Sequence, residues 1–127
     1  MKVLALDYGR ARTGVAVSDP TGTIARPLGV VAGTDVARIV ELIAEHGAER
    51  VVVGMPLTLS GSRGEQARET ETFIEKLAAA TTVPVVQFDE RFTTDLAEQT
   101  GSAAADEDAR AAAHLLSSYL TWASAGA

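Results

Sequence analysis

Three acidic residues, far apart in the chain, stand where a fold can bring them together. Asp7 and Glu90 each lie at the end of a short apolar run typical of a buried strand, and Asp108 lies in the first turn of a predicted C-terminal helix. Carboxylates that meet at one place repel each other unless a cation lies between them. Because hard divalent ions prefer oxygen ligands, we interpret the three acids as candidate ligands for Mg²⁺ or Mn²⁺.

Such a site predicts a definite chemistry. Two divalent ions, about 3.5–4 Å apart, activate a water molecule and stabilise the leaving oxygen of a phosphodiester. Asp7, Glu90 and Asp108 are therefore candidate catalytic residues of a metal-dependent nuclease, which needs no nucleophilic side chain. The chain has no cysteine, which excludes disulfides, zinc–thiolate sites and thiol nucleophiles. His46 and His114 fall at positions typical of surface residues.

Each acid also has a purely structural explanation. Asp7 can cap the turn that follows its strand. Asp89 and Glu90 point to opposite faces of a strand, so only one of them can join Asp7. Acids are favoured near helix N-termini by the helix dipole, which accounts for Asp108 as well as for Asp106, the predicted N-cap of the last helix.

Arginines concentrate around these acids, although the formal net charge of −6 argues against a general binder of polyanions. Guanidinium groups suit bidentate contacts with phosphate, and the candidates for binding a nucleic acid are Arg10, Arg12, Arg63 and Arg91. Gly9 and Gly14 are expected to let the backbone approach that ligand closely. The loop at residues 55–64 is the predicted substrate-facing flap.

Most glutamates are expected on helix surfaces away from the strand ends. They are Glu41, Glu45, Glu49, Glu69, Glu71 and Glu75. This separation of acids from arginines would leave one end of the molecule free to meet phosphates. Binding is nevertheless expected to be weak and strongly dependent on salt.

The pattern of apolar residues predicts an α/β fold. Strands are expected at residues 2–7, 13–19, 23–31, 50–54 and 84–88, and helices at 35–46, 65–80, 93–99 and 106–123. Pro27 within the third strand indicates a sheet edge or a bulge. A meander of three strands followed by alternating helix and strand gives a sheet of mixed direction. The length suits a single domain over residues 1–127.

The sequence gives no sign of a membrane or secretory protein. Its first residues lack the pattern of a signal peptide, and no apolar run approaches the roughly 20 residues that span a bilayer. We therefore expect a soluble, cytoplasmic protein with no membrane partner.

Five segments, in order, resemble the YqgF/RuvX family of Holliday-junction resolvases, also described as pre-16S rRNA nucleases. They are DYGRARTGVAVSD, ARPL, VVVGMPLTLSG, FDERFTT and DEDARAAAHLLSSYL. The resemblance implies a ribonuclease H-like fold with a five-stranded mixed sheet of order 3-2-1-4-5 flanked by helices. It places the family's three acids on Asp7, Glu90 and Asp108, and implies a role in maturing the 5′ end of 16S rRNA in bacteria. Residues 99–107 depart from the family by being short, alanine-rich and acidic.

Several alternatives stay open at this point. The expected partner is nucleic acid, with precursor rRNA favoured over branched DNA and with the ribosome or its precursor as a further partner; the chain is expected to be a monomer or a homodimer. A Holliday-junction resolvase is the alternative enzyme, and a non-catalytic nucleic-acid-binding module of the same fold is the alternative of another class. The first hairpin also resembles the phosphate-binding turn of sugar kinases and actin-like ATPases, but those proteins need a second domain, for which this chain is too short.

Overall fold

The computed structural model describes residues 1–33, 35–55, 64–89 and 104–126. The elements in these ranges are β1 (Val3–Asp7), β2 (Arg12–Ser18), β3 (Ala25–Ala32), α1 (Val36–His46), β4 (Arg50–Met55), α2 (Glu65–Ala80), β5 (Val85–Asp89) and α3 (Ala104–Gly126). Every element that was predicted within these ranges is present, with strand ends that differ by one or two residues. The helix predicted at residues 93–99 and most of the predicted flap lie outside the described residues.

The five strands form one sheet in the order β3-β2-β1-β4-β5. β1 pairs antiparallel with β2, which pairs antiparallel with β3. On the other side, β1 pairs parallel with β4, and β4 pairs parallel with β5. The predicted strand order and mixed direction are therefore confirmed. Because β1, β4 and β5 run in the same direction, their last residues, Asp7, Met55 and Asp89, lie at one end of the sheet.

The helices cover the two faces of the sheet unequally. α1 and α2 pack on one face through a core cluster that includes Ile39, Phe73 and Leu77. α3 crosses the other face, over β1, β2 and β3, and packs through a second cluster that includes Leu115 and Leu116. Strand residues alternate between the clusters, so each strand position has a definite face.

β3 forms one edge of the sheet and contains the irregularity that Pro27 predicts. Val15 pairs with Gly29 and Ala16 pairs with Pro27, so Leu28 is an extra residue in β3. Proline has no N–H to give to a neighbouring strand and is tolerated at an edge or a bulge. Pro27 satisfies both conditions, because β3 is an edge strand and the bulge at Leu28 follows it directly.

The helix ends are partly as predicted. Asp35 caps α1 by accepting a hydrogen bond from the backbone N–H of Arg38, and Gly47 ends the helix with a φ of 65°. The expected N-cap at Asp106 is wrong, because α3 begins at Ala104 and Asp106 lies inside it. Alanine has the highest helix propensity, which accounts for a helix that includes Ala104 and Ala105 ahead of Asp106. Among the described residues, no helix is long and apolar enough to cross a membrane.

Candidate active site

Two of the three predicted catalytic acids are brought together by a close contact between α3 and the sheet. Asp7 ends β1 and lies opposite Gly14 of β2. A Cβ built on Gly14 would overlap the backbone carbonyl of Asp108 and would lie 3.2 Å from the backbone nitrogen of Ala109. The α3 backbone therefore rests directly on the strand position that faces Asp7. A side chain at Gly14 would force the helix away.

Strand alternation places Asp7 on the face that α3 covers. Val3 and Ala5, which share its direction in β1, belong to the core cluster beneath α3. In β5, Phe88 belongs to the same cluster, whereas Asp89 follows it and points to the opposite face. Of the neighbouring acids Asp89 and Glu90, the described one therefore lies on the wrong face to join Asp7. Glu90 lies outside the described residues.

Arg12 is the partner of Asp108. Its Nε donates a hydrogen bond to Oδ2 of Asp108, across 96 residues of sequence. The two side chains are 43% and 33% exposed. Asp108 therefore points neither into open solvent nor into the core, but toward the first hairpin at the end of the sheet where Asp7 lies.

Arg10 has a different partner on the other side of the hairpin. Its Nε and Nη2 donate to the two carboxylate oxygens of Glu69 at 2.7 and 2.6 Å, and Nη2 lies 3.9 Å from Glu65. The hydrogen bonds with Glu69 raise the pKa of Arg10 and lower the pKa of the glutamate. The expectation that Glu69 lies away from the strand ends is wrong, because the first turns of α2 pack beside the hairpin.

A cavity of about 410 Å³ lies beside this second arginine pair, lined by Tyr8, Arg10 and Gln66. Tyr8 forms one wall and stacks on Phe73 of α2, with ring centroids 4.7 Å apart. Because Tyr8 follows Asp7 directly in the chain, the cavity adjoins the candidate site on its α2 side. Its lining is partly polar and partly aromatic.

The glycines of the hairpin serve the protein's own packing rather than the close approach of a ligand. A Cβ on Gly9 would crowd the carbonyl of Arg12, and one on Gly14 would overlap α3. Gly33, which the sequence did not indicate, packs closely against the hairpin turn. A Cβ there would overlap the carbonyl of Arg10. The buried hydroxyl of Thr13 donates to the Gly33 carbonyl at 3.0 Å. The contact of Thr13 with Gly33 joins residues 20 positions apart and leaves no local signal in the sequence.

The described residues supply part of the predicted metal site. Asp7 and Asp108 offer carboxylate oxygens, the donor type that Mg²⁺ and Mn²⁺ prefer, and a cationic guanidinium already lies on Asp108. No group of three acidic or histidine side chains within the described ranges is arranged to hold an ion. The predicted ligand Glu90 and the predicted phosphate contacts Arg63 and Arg91 lie outside those ranges. The two described carboxylates therefore supply the oxygen donors that a divalent ion needs, and the Arg12 guanidinium competes with such an ion for Asp108.

Solved structures share this architecture. RuvC from Thermus thermophilus matches with a TM-score of 0.62 at 19% identity, over 99% of this chain and 97% of that one. RuvC from T. thermophilus in complex with a Holliday junction substrate gives a TM-score of 0.61 at 18% identity, over 96% of each chain. At these identities the likeness shows the fold alone. It confirms the predicted ribonuclease H-like fold.

Relatives in sequence are closer. A protein of Chloroflexus aurantiacus named "Putative pre-16S rRNA nuclease" is 46% identical over 101 residues, which cover 76% of this chain and 66% of the relative's length. One of Anaeromyxobacter sp. with the same name is 42% identical over 132 residues, covering 94% of this chain and 96% of that one. The family model described as "RuvX: Holliday junction resolvase" matches residues 1–122. Because this model covers nearly the whole chain and the two relatives are 46% and 42% identical, the chain belongs to the RuvX family.

Proposed function

We propose that this protein is a divalent-metal-dependent nuclease that hydrolyses phosphodiester bonds in structured nucleic acid. The observation that carries the proposal is the contact of α3 with Gly14, which puts Asp108 beside Asp7 on one face and at one end of the sheet. Two carboxylates held there by rigid elements would repel each other and attract a cation. The names of the relatives and of the family support a nuclease.

Asp7, Asp108 and Glu90 are the residues that would hold the metal. The alternation of β5 favours Glu90 over Asp89 as the third acid, because Phe88 shares the face of Asp7 and Glu90 is two residues further on. Two bound ions of Mg²⁺ or Mn²⁺ would supply an activated water and would stabilise the charge on the leaving oxygen. The protein's own contribution is to fix the acids in place before substrate arrives.

The arginines at the same end would bind and orient the substrate backbone. Arg10 borders the cavity beside Tyr8, and Arg12 lies on the α3 side of the same hairpin. Arg63 and Arg91 are the further candidates from the sequence. Because the net charge is −6, attraction is confined to this end, and affinity should fall steeply with added salt.

Precursor 16S rRNA is the substrate we favour, because it is the one that the named relatives carry in their names. The ribosomal precursor is then the assembly in which the protein would act, in the cytoplasm, as a monomer or a homodimer. A four-way DNA junction is the second candidate, supported by the description of the family. A homodimer would help this alternative, because its two-fold symmetry matches that of a junction.

The test is a cleavage assay on a precursor 16S rRNA fragment and on a four-way DNA junction, titrated with Mg²⁺ and with Mn²⁺. Asp7→Asn and Asp108→Asn are expected to reduce the cleavage rate at least about a hundredfold, because metal ions contribute several kcal/mol to such transition states. The control is Asp19→Asn, the same change at the other end of the sheet, which should keep full activity. Preference between the two substrates decides between RNA and DNA.

Two results would contradict the proposal. If the wild type and Asp7→Asn are equally inactive on both substrates while still binding them, the protein is a non-catalytic binding module. If the two amide variants unfold in urea far more easily than the wild type, the acids are structural and their loss of activity is indirect. If the acids are metal ligands instead, the amide variants should resist urea at least as well as the wild type, since removing one of two neighbouring negative charges does not weaken the metal-free fold.

A further inference from the structure

The ion pair between Arg12 and Asp108 joins a predicted phosphate-binding residue to a predicted metal ligand. We propose that Arg12 is an exchangeable counter-ion: its guanidinium holds Asp108 in the metal-free protein and is released toward the substrate phosphate when a divalent cation binds the carboxylate. The inference rests on the proposed function, because it needs a cation at Asp108. It adds that metal binding and substrate binding are coupled through one arginine.

The position of Arg12 in the sheet accounts for the pair. In β2, Arg12 and Gly14 share a face with Ala16, which belongs to the core cluster beneath α3. The contact of Gly14 with the α3 backbone therefore sets Asp108 next to the side chain two residues earlier. Asp7 lies on the same face of the sheet, and the cation that contacts the Asp108 carboxylate is Arg12.

The exposure of the pair makes it exchangeable. Both side chains are partly exposed, at 43% and 33%, and exposed ion pairs contribute little to stability. A divalent ion brings twice the charge of a guanidinium to the same oxygen atoms. Arg12 bonds Asp108 through one nitrogen, whereas Arg10 holds Glu69 with two and has a second carboxylate nearby. Of the two hairpin arginines, Arg12 is the one that can leave.

The release has a consequence for substrate binding. Before the metal binds, the charge of Arg12 is neutralised by Asp108 and is of little use to a phosphate. Afterwards the guanidinium is free beside the ion, where the backbone of a nucleic acid must lie for cleavage. By linkage, whatever the metal does for substrate affinity, the substrate does equally for metal affinity. The protein would then bind nucleic acid more tightly when a metal ion occupies its site.

The experiment measures Mn²⁺ binding by calorimetry without nucleic acid, so that it needs no activity. Arg12→Gln should bind Mn²⁺ about three- to tenfold more tightly than the wild type, because the competing cation is gone and its repulsion of the metal with it. Arg12→Lys, which keeps a charge but not the planar fork, should lie between the two. Arg26→Gln is the matched control, since Arg26 is exposed in β3 opposite Val17, toward the other end of β2. It should change affinity less than about twofold.

The outcomes separate the two proposals. Tighter Mn²⁺ binding by Arg12→Gln supports the exchange, because a merely structural role for Arg12 predicts weaker binding as Asp108 loses its position. If Asp108→Asn abolishes binding while Arg12→Gln binds as the wild type does or more weakly, the exchange is overturned and the metal site stands. If the wild type itself binds no Mn²⁺, both are overturned.

Discussion

Each end of the sheet has an aspartate near a turn, and the two aspartates differ in their hydrogen-bond partners. Asp19 follows β2 and accepts hydrogen bonds from the backbone N–H groups of Thr23 and Ile24 at 2.7 and 2.9 Å, and from the hydroxyl of Thr21. Asp108, at the other end, is held by a single arginine from a distant strand. An acid bonded by its own turn is structural, whereas an acid held by one exposed, distant side chain is available for exchange.

The other polar contacts at the two ends of the sheet also differ. At the end of Asp19, the N-terminal amine donates to the Pro20 carbonyl at 2.9 Å, and Arg50 donates to the hydroxyl of Tyr119 at 2.8 Å. Both contacts join groups of the protein to each other, away from the candidate site. At the end of Asp108, the hairpin arginines meet acids at the surface, beside a cavity. α3 spans both ends, which lets the same kinds of substitution be compared at each.

The largest effect is expected from adding a methyl group where α3 touches the sheet. Gly14→Ala should lower the free energy of unfolding by about 2–3 kcal/mol, because the Cβ overlaps the helix backbone and the helix must move. It should also weaken Mn²⁺ binding and reduce cleavage, since the shift carries Asp108 away from Asp7. Urea unfolding gives the first effect, and metal titration of the folded protein gives the second.

The comparison variant is Gly22→Ala at the opposite end. Gly22 has a φ of 71°, and a Cβ there would lie 2.9 Å from the carbonyl of Met1. Alanine in this left-handed conformation should cost about 1–2 kcal/mol, with Mn²⁺ binding and cleavage unchanged. Equal loss of function in the two variants at equal stability would show that the contact at Gly14 does not position Asp108.

A smaller effect is expected at the Arg50–Tyr119 contact. Tyr119→Phe removes the hydroxyl that accepts from Nη1 of Arg50, whose Nε is already buried without a partner among the described residues. The loss should lower the free energy of unfolding by about 1 kcal/mol, since the arginine keeps partial access to water. Urea unfolding measures it, and cleavage per folded molecule should stay at the wild-type rate. Reduced cleavage at full folding would mean that the two ends communicate through α3.

The sequence predicts the fold well because its signals there are local. Strand order follows from the resemblance, and each strand and helix from its own apolar period. The face of Asp7 also follows from alternation, once Val3 and Ala5 are assigned to a core. Asp108 precedes, at helical spacing, an apolar stripe that includes Leu115 and Leu116, and this local pattern indicates its side of the helix.

The contacts within the site are less predictable, because they join residues that are distant in the chain. Nothing near Gly14 indicates that a helix 94 residues later will rest on it, so a ligand was expected there instead. Glu69 looks like any solvated helix glutamate until α2 is placed beside Arg10. The start of α3 differs from the prediction for a local reason, since the high helix propensity of Ala104 and Ala105 includes them in the helix ahead of Asp106. The positions of Glu90, Arg63 and Arg91 remain predictions from the sequence.

The smallest effect concerns pH and Asp19. The Thr21 hydroxyl, followed by the backbone N–H groups of Ile24 and Thr23, lowers the pKa of Asp19 from 3.8 to about 2. Because the folded pKa lies below the ordinary value, ionised Asp19 stabilises the fold fully above about pH 4, and this contribution is lost as the pH falls through about 2. Urea unfolding of the wild type and Asp19→Asn should therefore differ by a constant amount above pH 4 and converge toward pH 2.

A difference that persists unchanged to pH 2 would mean that the turn does not hold Asp19 as an ion. The same variant sharpens the comparison of the two ends, because it removes one negative charge without touching Arg12 or Asp108. If its Mn²⁺ affinity matches that of the wild type, charge at the far end is screened from the site, and any change caused by Arg12→Gln is local. If its affinity shifts as much as that of Arg12→Gln, the two ends share one electrostatic field and the distinction between a structural and an exchangeable aspartate fails.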